Sequence, residues 1–356
     1  MDAEQRTSYH RHVCLQVPVA ASRRAAPSLA ADRRALPHQI AWRDMERRAV
    51  GRSGLQVSRM GLGTMTWGRD TDEYEARDQF SLFLEAGGTL FDTADVYASG
   101  AAEELLGSLV AEVGVRDDVV IATKSGGRRT PERRFDASRR HLLRALEGSL
   151  ERLGTDFVDL WMVHGWDEAT PIEETLSAMA AAQESGKARY VGVSNYAPWQ
   201  LALAAAGAEH RHGLAMVANE VEYSLLARDS EAGVFGAADA VGAGILAWSP
   251  IGRGVLTGKY RHGTPADSRG ASPHLGGFVR EYLGASHRRV VDAVCTAAEG
   301  LGVAPVEVAV AWVRDRPGVA SVLLGSRTAA QLRGVLQAEE LTLPEEIRTA
   351  LDEVSD

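Results

Sequence analysis

An Asp, a Tyr, a Lys and a His stand at the ends of three successive strand-like runs. Asp92 and Tyr97 lie in Phe91-Asp92-Thr93-Ala94-Asp95-Val96-Tyr97, Lys124 closes the apolar run that starts at Val119, and His164 follows the run from Val158 to Val163. A phenol beside an ammonium and an imidazole is suited to protonating a carbonyl oxygen. Its unperturbed pKa of about 10 makes it a poor acid at neutral pH. A neighbouring ammonium stabilises the phenolate, so Lys124 is expected to make Tyr97 more acidic. Asp92 can pair with Lys124 and hold it, and His164 can orient the carbonyl oxygen or assist proton transfer. Together the four would polarise a C=O and protonate the alkoxide that forms as hydride arrives. Each alone has an ordinary explanation, the Lys as a buried ion pair and the Tyr as a rim residue. Four suitable types at the ends of three successive strands point instead to a site.

The elements that must position them follow from the apolar pattern. Residues 46–50 and 55–58 flank Gly51-Arg52-Ser53-Gly54 and read as a β-hairpin. A first strand is expected at 59–66. Then helix 72–87 leads to strand 89–94, helix 101–113 to 119–124, helix 137–153 to 157–163, helix 172–185 to 188–194, helix 198–212 to 215–221, helix 230–241 to 243–248, and helix 305–315 to 319–324. Helix 328–338 follows the last strand. Short apolar strands between helices imply parallel βαβ units buried on both faces. Eight of them suit an α/β chain folded as a single (β/α)8 TIM barrel with an N-terminal β-hairpin, whose carboxyl-end mouth would collect the four polar groups. A doubly wound sheet is the alternative, but Gly61-Leu62-Gly63 continues as Thr-Met-Thr-Trp-Gly and lacks the G-x-G-x-x-G dinucleotide turn. Residues 251–284 form a long insertion of the kind that serves as a lid. Segments 286–302 and 344–354 read as extra helices outside the barrel.

Composition narrows the function classes. A 45% apolar chain of 356 residues can bury a large core, and its formal net charge of −9 argues against a nucleic-acid or anionic-membrane partner. The two Cys, Cys14 and Cys295, have no metal-ligand or redox spacing and suit a reducing cytoplasm. No apolar run approaches the roughly 20 residues of a membrane span. Residues 1–44 are rich in Arg, Ala and His and show no period. They read as a disordered extension, with weak features of a signal or transit segment, and the barrel domain is expected over 45–356.

From Met45 onward the chain resembles the aldo-keto reductases. The stretches GLGTMTWG (61–68), FDTADVY (91–97), IATKSG (121–126), DLWMVHGWD (159–167), GVSNY (192–196), AWSPIGRGVLTGKY (247–260) and LLGSRTAAQL (323–332) follow the family pattern in order. The resemblance implies a (β/α)8 barrel that uses NADPH, or less often NADH, to interconvert carbonyls and alcohols. It implies a catalytic tetrad of Asp92, Tyr97, Lys124 and His164 with Tyr97 as general acid. It places the cofactor against Gly63, Thr64, Met65 and Asp92, with Ser194, Asn195 and Glu220 at the nicotinamide carboxamide and Trp248 stacked on its ring. Backbone at Ser249, Ile251, Gly252 and Gly254 would approach the pyrophosphate, with Lys259 adding charge. Gly325, Ser326 and Arg327 precede a helix whose N-terminus suits a phosphate, and Gln331 lies one turn on. Ser194 or Asn195 could also cap the helix before Pro198. Trp67, Tyr97 and Trp166, with Tyr196 and the 261–284 loop, would line an aromatic pocket for a small carbonyl substrate.

Departures from that pattern are specific. Glu220 replaces a Gln that commonly binds the carboxamide, and as a carboxylate it accepts but cannot donate. Val335 stands where an Asn usually meets adenine, Gly334 where an acid is common, and Ala98 replaces a frequent Gly. The family also includes potassium-channel β-subunits, so a cofactor-binding regulatory subunit is the competing expectation. A barrel lyase or isomerase would need metal ligands or a Schiff-base Lys, for which Lys124 is the obvious candidate.

Overall fold

The computed structural model describes residues 45–127, 133–273 and 275–356; the expectation for residues 1–44 falls outside them. The hairpin forms from β1 (Arg47–Ala49) and β2 (Gln56–Ser58), paired antiparallel. Among the described residues, eight further strands close into a parallel barrel: β3 (Met60–Gly63), β4 (Leu90–Asp92), β5 (Val120–Ser125), β6 (Val158–Val163), β7 (Ala188–Ser194), β8 (Met216–Glu222), β9 (Gly244–Trp248) and β10 (Val319–Leu324), the last pairing with β3. The helices α1 (Glu73–Glu85), α2 (Ala101–Val113), α3 (Arg139–Leu153), α4 (Ile172–Glu184), α5 (Pro198–His212) and α6 (Val234–Val241) each follow one strand from β3 to β8. After β9 come α7 (Gly276–Arg280), α8 (Ala285–Leu301) and α9 (Pro305–Arg314), and after β10 come α10 (Ala329–Leu336) and α11 (Glu345–Ser355). Helix α9 completes the outer ring, while α8 packs on it and on α11. The expected (β/α)8 barrel is therefore the observed architecture. Among the described residues no single helix is long and apolar enough to cross a membrane.

Two boundaries differ from the sequence reading by more than two residues. Strand β3 stops at Gly63 rather than 66 because Thr64 turns the chain: Trp67 N–H donates to Thr64 O at 2.9 Å, and three amides converge on Thr66 O. Helix α6 begins at Val234 rather than 230, since Gly233 is extended (φ −174°) and separates it from a short turn over Asp229–Ala232.

The hairpin closes the amino end of the barrel. Val50, Leu55 and Val57 join one buried cluster with Leu90, Leu160, Leu246 and Ala320 from the strands. Burying such side chains contributes roughly 1.5–3 kcal/mol each. The turn docks by backbone: Arg52 N–H donates to Gly242 O at 2.8 Å, and its guanidinium to the carbonyls of Asp239 and Ala240, both at 2.8 Å. Gly51 sits at φ +60°, and a Cβ there would lie 2.3 Å from Gly242 O and 2.6 Å from Gly244 N. Backbone cannot yield as a flexible side chain does. Gly51→Ala is therefore expected to destabilise the protein by about 1–3 kcal/mol, seen as a lower Tm with the same unfolding cooperativity. Melting coincident with the wild type would refute this close approach.

Candidate active site

The barrel ladder brings the four chemical groups together at the carboxyl-end mouth. Strand β4 ends at Asp92, and the chain then crosses the top of β5, with Thr93 N–H donating to Ala122 O (2.9 Å) and Asp95 N–H to Lys124 O (3.1 Å). A short turn over Tyr97–Gly100 holds the phenol, with Ala98 and Ser99 in the left-handed region at φ 47° and 59°. Ala98 thus adopts the backbone that a Gly would reach without strain. Lys124 is fully buried; its Nζ lies 2.5 Å from Asp92 Oδ1 and 3.0 Å from Glu220 Oε2. The same ammonium hydrogen-bonds the Tyr97 side chain and lies 5.4 Å from its ring centroid. His164 stands edge-on to Tyr97, ring centroids 6.1 Å apart, with its backbone N–H on Ser125 O.

The electrostatics correct one expectation. Burial pushes the Tyr97 phenol above its ordinary value; Lys124 pulls it down, but Asp92 and Glu220 push it up again. The phenol in the ligand-free protein is therefore a weaker acid than free tyrosine and stays protonated. Burial works against the Lys124 ammonium, yet Asp92 and Glu220 outweigh it and hold the amine charged. Burial, with Lys124 and Arg134 nearby, depresses the His164 imidazole to about 3. Neutral His164 can donate one N–H to a carbonyl oxygen, and its Nδ1 has no hydrogen-bond partner among the described residues. Burial also raises both Asp92 and Glu220, and for Glu220 the neighbouring Asp92 adds to the rise.

A cavity of about 760 Å³ opens over this cluster. Its walls include most of the residues singled out for a cofactor: Gly63, Met65, Asp92, Ser194, Asn195, Glu220, Trp248, Ser249, Ile251, Gly254, Lys259, Gly325, Ser326, Arg327 and Gln331, together with Tyr97 and His164. Thr64 and Gly252 do not reach it. Thr64 is buried with its hydroxyl donating to Asp92 O, and Gly252 is packed against Leu226. Lys124 lies behind the wall. Ser194 and Asn195 do not cap α5; the cap is at Ala197, whose N–H donates to Gln200 Oε1 at 2.8 Å. Their polar groups knit the mouth instead: Trp248 Nε1–H donates to Asn195 Oδ1 (3.2 Å), and Asn195 Nδ2–H to His164 O (3.1 Å).

The aromatic wall differs from the one expected. Trp67 is fully buried away from the cavity, its Nε1–H on Gln79 Oε1 at 3.3 Å. Trp166 also lies off the cavity, packed edge-on against Tyr196 (5.3 Å) and Trp199 (5.1 Å). The rings that do line it are Tyr97, Phe135, Trp248 and Phe278, the last stacked over Trp248 at 6.4 Å and 13°.

The other end of the cavity is cationic. Arg327, Lys259 and Arg269 all line it, and the charge of each guanidinium depresses the Lys259 amine below its ordinary value, after burial as first cause. Burial and Arg327 likewise depress Arg269. Mutually repelling cations at a cavity wall are stabilised by a bound anion. The backbone N–H of Arg327 and the hydroxyl of Ser326 are engaged with Gln331 Oε1 (3.0 Å) and Gln79 Oε1 (3.1 Å). Arg269 escaped the sequence reading because nothing in the insertion distinguishes it from its other basic residues. Arg253 escaped it too. Its buried guanidinium forks onto Glu222 at the end of β8 (2.8 and 2.5 Å), reaches Glu281 (2.7 Å) and lies over the Phe278 ring (3.6 Å). That one side chain ties the insertion across the mouth.

Comparison with known proteins agrees with this geometry. The chain is 37% identical over 320 residues to an uncharacterized oxidoreductase, YrpG, of Bacillus subtilis, covering 87% of this chain and 96% of that protein. It is 36% identical to a probable voltage-gated potassium channel subunit beta of Oryza sativa subsp. japonica, over 81% of this chain and 89% of the other. It is 33% identical to the protein tas of Escherichia coli, over 87% and 97%. The model of the Aldo/keto reductase family matches residues 59–356. With that match spanning the whole barrel, the chain belongs to the aldo/keto reductase family.

Proposed function

We propose that the protein is an oxidoreductase that reduces an aldehyde or ketone with NADPH, NADH being the weaker alternative. The observation that carries this reading is a single cavity with a protonated phenol at one end and a cluster of mutually repelling cations at the other. The residues fit a phosphorylated dinucleotide: Trp248 offers a flat face, Asn195 and Glu220 offer polar groups, and Arg327, Arg269 and Lys259 suit a 2′-phosphate.

A bound dihydronicotinamide would supply the hydride. The chain's own residues do the rest. Neutral His164 donates an N–H to the substrate oxygen and holds it facing the Tyr97 hydroxyl. As negative charge builds on that oxygen, the phenol passes its proton to it. The charged amine of Lys124, clamped by Asp92, stabilises the phenolate left behind. Phe135 and Phe278 exclude water and favour a substrate with an apolar or aryl body. The test is NADPH absorbance on addition of a panel of aldehydes and ketones. Carbonyl-dependent loss of absorbance is expected. Tight NADPH binding with no turnover of any carbonyl would contradict the reading. It would instead favour a cofactor-binding regulatory subunit, the role that the name of the Oryza sativa relative suggests.

Two substitutions separate the two ends of the cavity. Tyr97→Phe should lower reduction by roughly 10²–10⁴-fold while leaving the Kd for NADPH within a few-fold; loss of NADPH binding would contradict the role assigned to the phenol. Arg327→Ala should raise the KM for NADPH by roughly 10–100-fold, as loss of a charge-assisted hydrogen bond implies, and barely change that for NADH. Equal effects on both cofactors would refute the 2′-phosphate contact.

A further inference from the structure

Glu220 puts a second carboxyl group on an ammonium that already has one. Lys124 Nζ is 2.5 Å from Asp92 Oδ1 and 3.0 Å from Glu220 Oε2. Lys124 is at 0% exposure, and the two carboxyls, at 3%, show only an edge to the cavity. Two carboxylates and one ammonium would leave a net negative charge with little water to solvate it, and buried groups escape that state by taking up a proton. The two carboxyl groups crowd one amine, 2.5 and 3.0 Å from its Nζ, so a proton on one of them relieves their mutual repulsion. Asp92 is closer to the ammonium and is the better place for the remaining charge, so the proton belongs on Glu220.

Among the described residues, the charged groups acting on Glu220 are Asp92 from β4 and Lys124 from β5. In the barrel ladder β7 sets Ser194 beside it and β9 sets Leu246. Tyr97 faces the cluster as a neutral phenol, and the imidazole of His164, edge-on to Tyr97, is neutral too.

We propose that Glu220 is a positioning residue that works as a carboxylic acid: it shares one proton with Asp92 around Lys124, and losing that proton switches off proton donation by Tyr97. An ionised Glu220 would add a second negative charge beside the phenol and oppose formation of phenolate. Protonated, it presents one donor and one acceptor, as a Gln amide does, so the replacement of Gln at this position keeps the donor that a bare carboxylate lacks. The effect on turnover rests on the reductase reading; the proton itself does not.

Two measurements on the full chain test this. Infrared spectra of the ligand-free protein, taken from about pH 5 to about pH 10, should contain a buried carboxylic-acid C=O band that disappears toward alkaline pH. Carboxyl ¹³C labelling of glutamate should shift that band, and Glu220→Gln should remove it. In steady-state reduction of an aldehyde, wild-type kcat/KM should fall by about tenfold per pH unit on the alkaline side, and Glu220→Gln should lose that limb. The shape of the profile is the readout, since a merely structural defect would lower turnover equally at every pH. A band insensitive to glutamate labelling, no acid band at any pH, or the same alkaline limb in Glu220→Gln would each overturn the proposal. A glutamate band with no carbonyl turnover at any pH would leave the shared proton standing and remove the reductase reading instead.

Discussion

A buried ammonium organises the site. Lys124 has no access to water, and an unpaired charge in that position would be expelled or neutralised. Its pairing with Asp92 at 2.5 Å and Glu220 at 3.0 Å keeps it charged and fixes its place between β4, β5 and β8. The proposed roles of the neighbours depend on this. Tyr97 has a cation at hand to stabilise its conjugate base, and the field of Lys124 helps keep His164 neutral and able to donate. Breaking such a pair by removing one partner is more damaging than never having built it.

The barrel supplies what a charged cluster needs: strands that cannot shift relative to one another and a mouth where their ends converge. Hydrogen bonds from Thr93 and Asp95 to β5 carry the chain from Asp92 to Tyr97 over the Lys124 strand. The hairpin plug at the other end has no polar group in the site but packs Val50, Leu55 and Val57 into the apolar barrel floor. Arg253 then fastens the insertion after β9 onto Glu222, so that Lys259 and Arg269 meet Arg327, in the turn after β10, across the cavity.

Much of this was legible in the residues. Alternation of short apolar runs with amphipathic ones marks a buried parallel sheet, and the ends of those runs name Asp92, Tyr97, Lys124 and His164. Polar residues at the ends of β7 and β10 likewise reach the cavity. Three things were not legible, each for a physical reason. A Trp signals burial but not its direction, and Trp67 and Trp166 turn away from the cavity to pack on Gln79 and on Tyr196. The net effect on Tyr97 sets burial and two carboxyl groups against one cation, and residue types alone give the sign of each contribution without the sum. Glu220 is 96 positions from Lys124 along the chain, so only closure of the barrel shows that it faces an ammonium.

The most direct measurement is a crystal structure with bound NADP⁺. The nicotinamide ring is expected to lie on Trp248 with its reactive carbon facing the Tyr97 hydroxyl, and the 2′-phosphate among Arg327, Arg269 and Lys259. A cofactor bound with the phosphate away from those cations, or with the phenol turned from the nicotinamide, would contradict this arrangement.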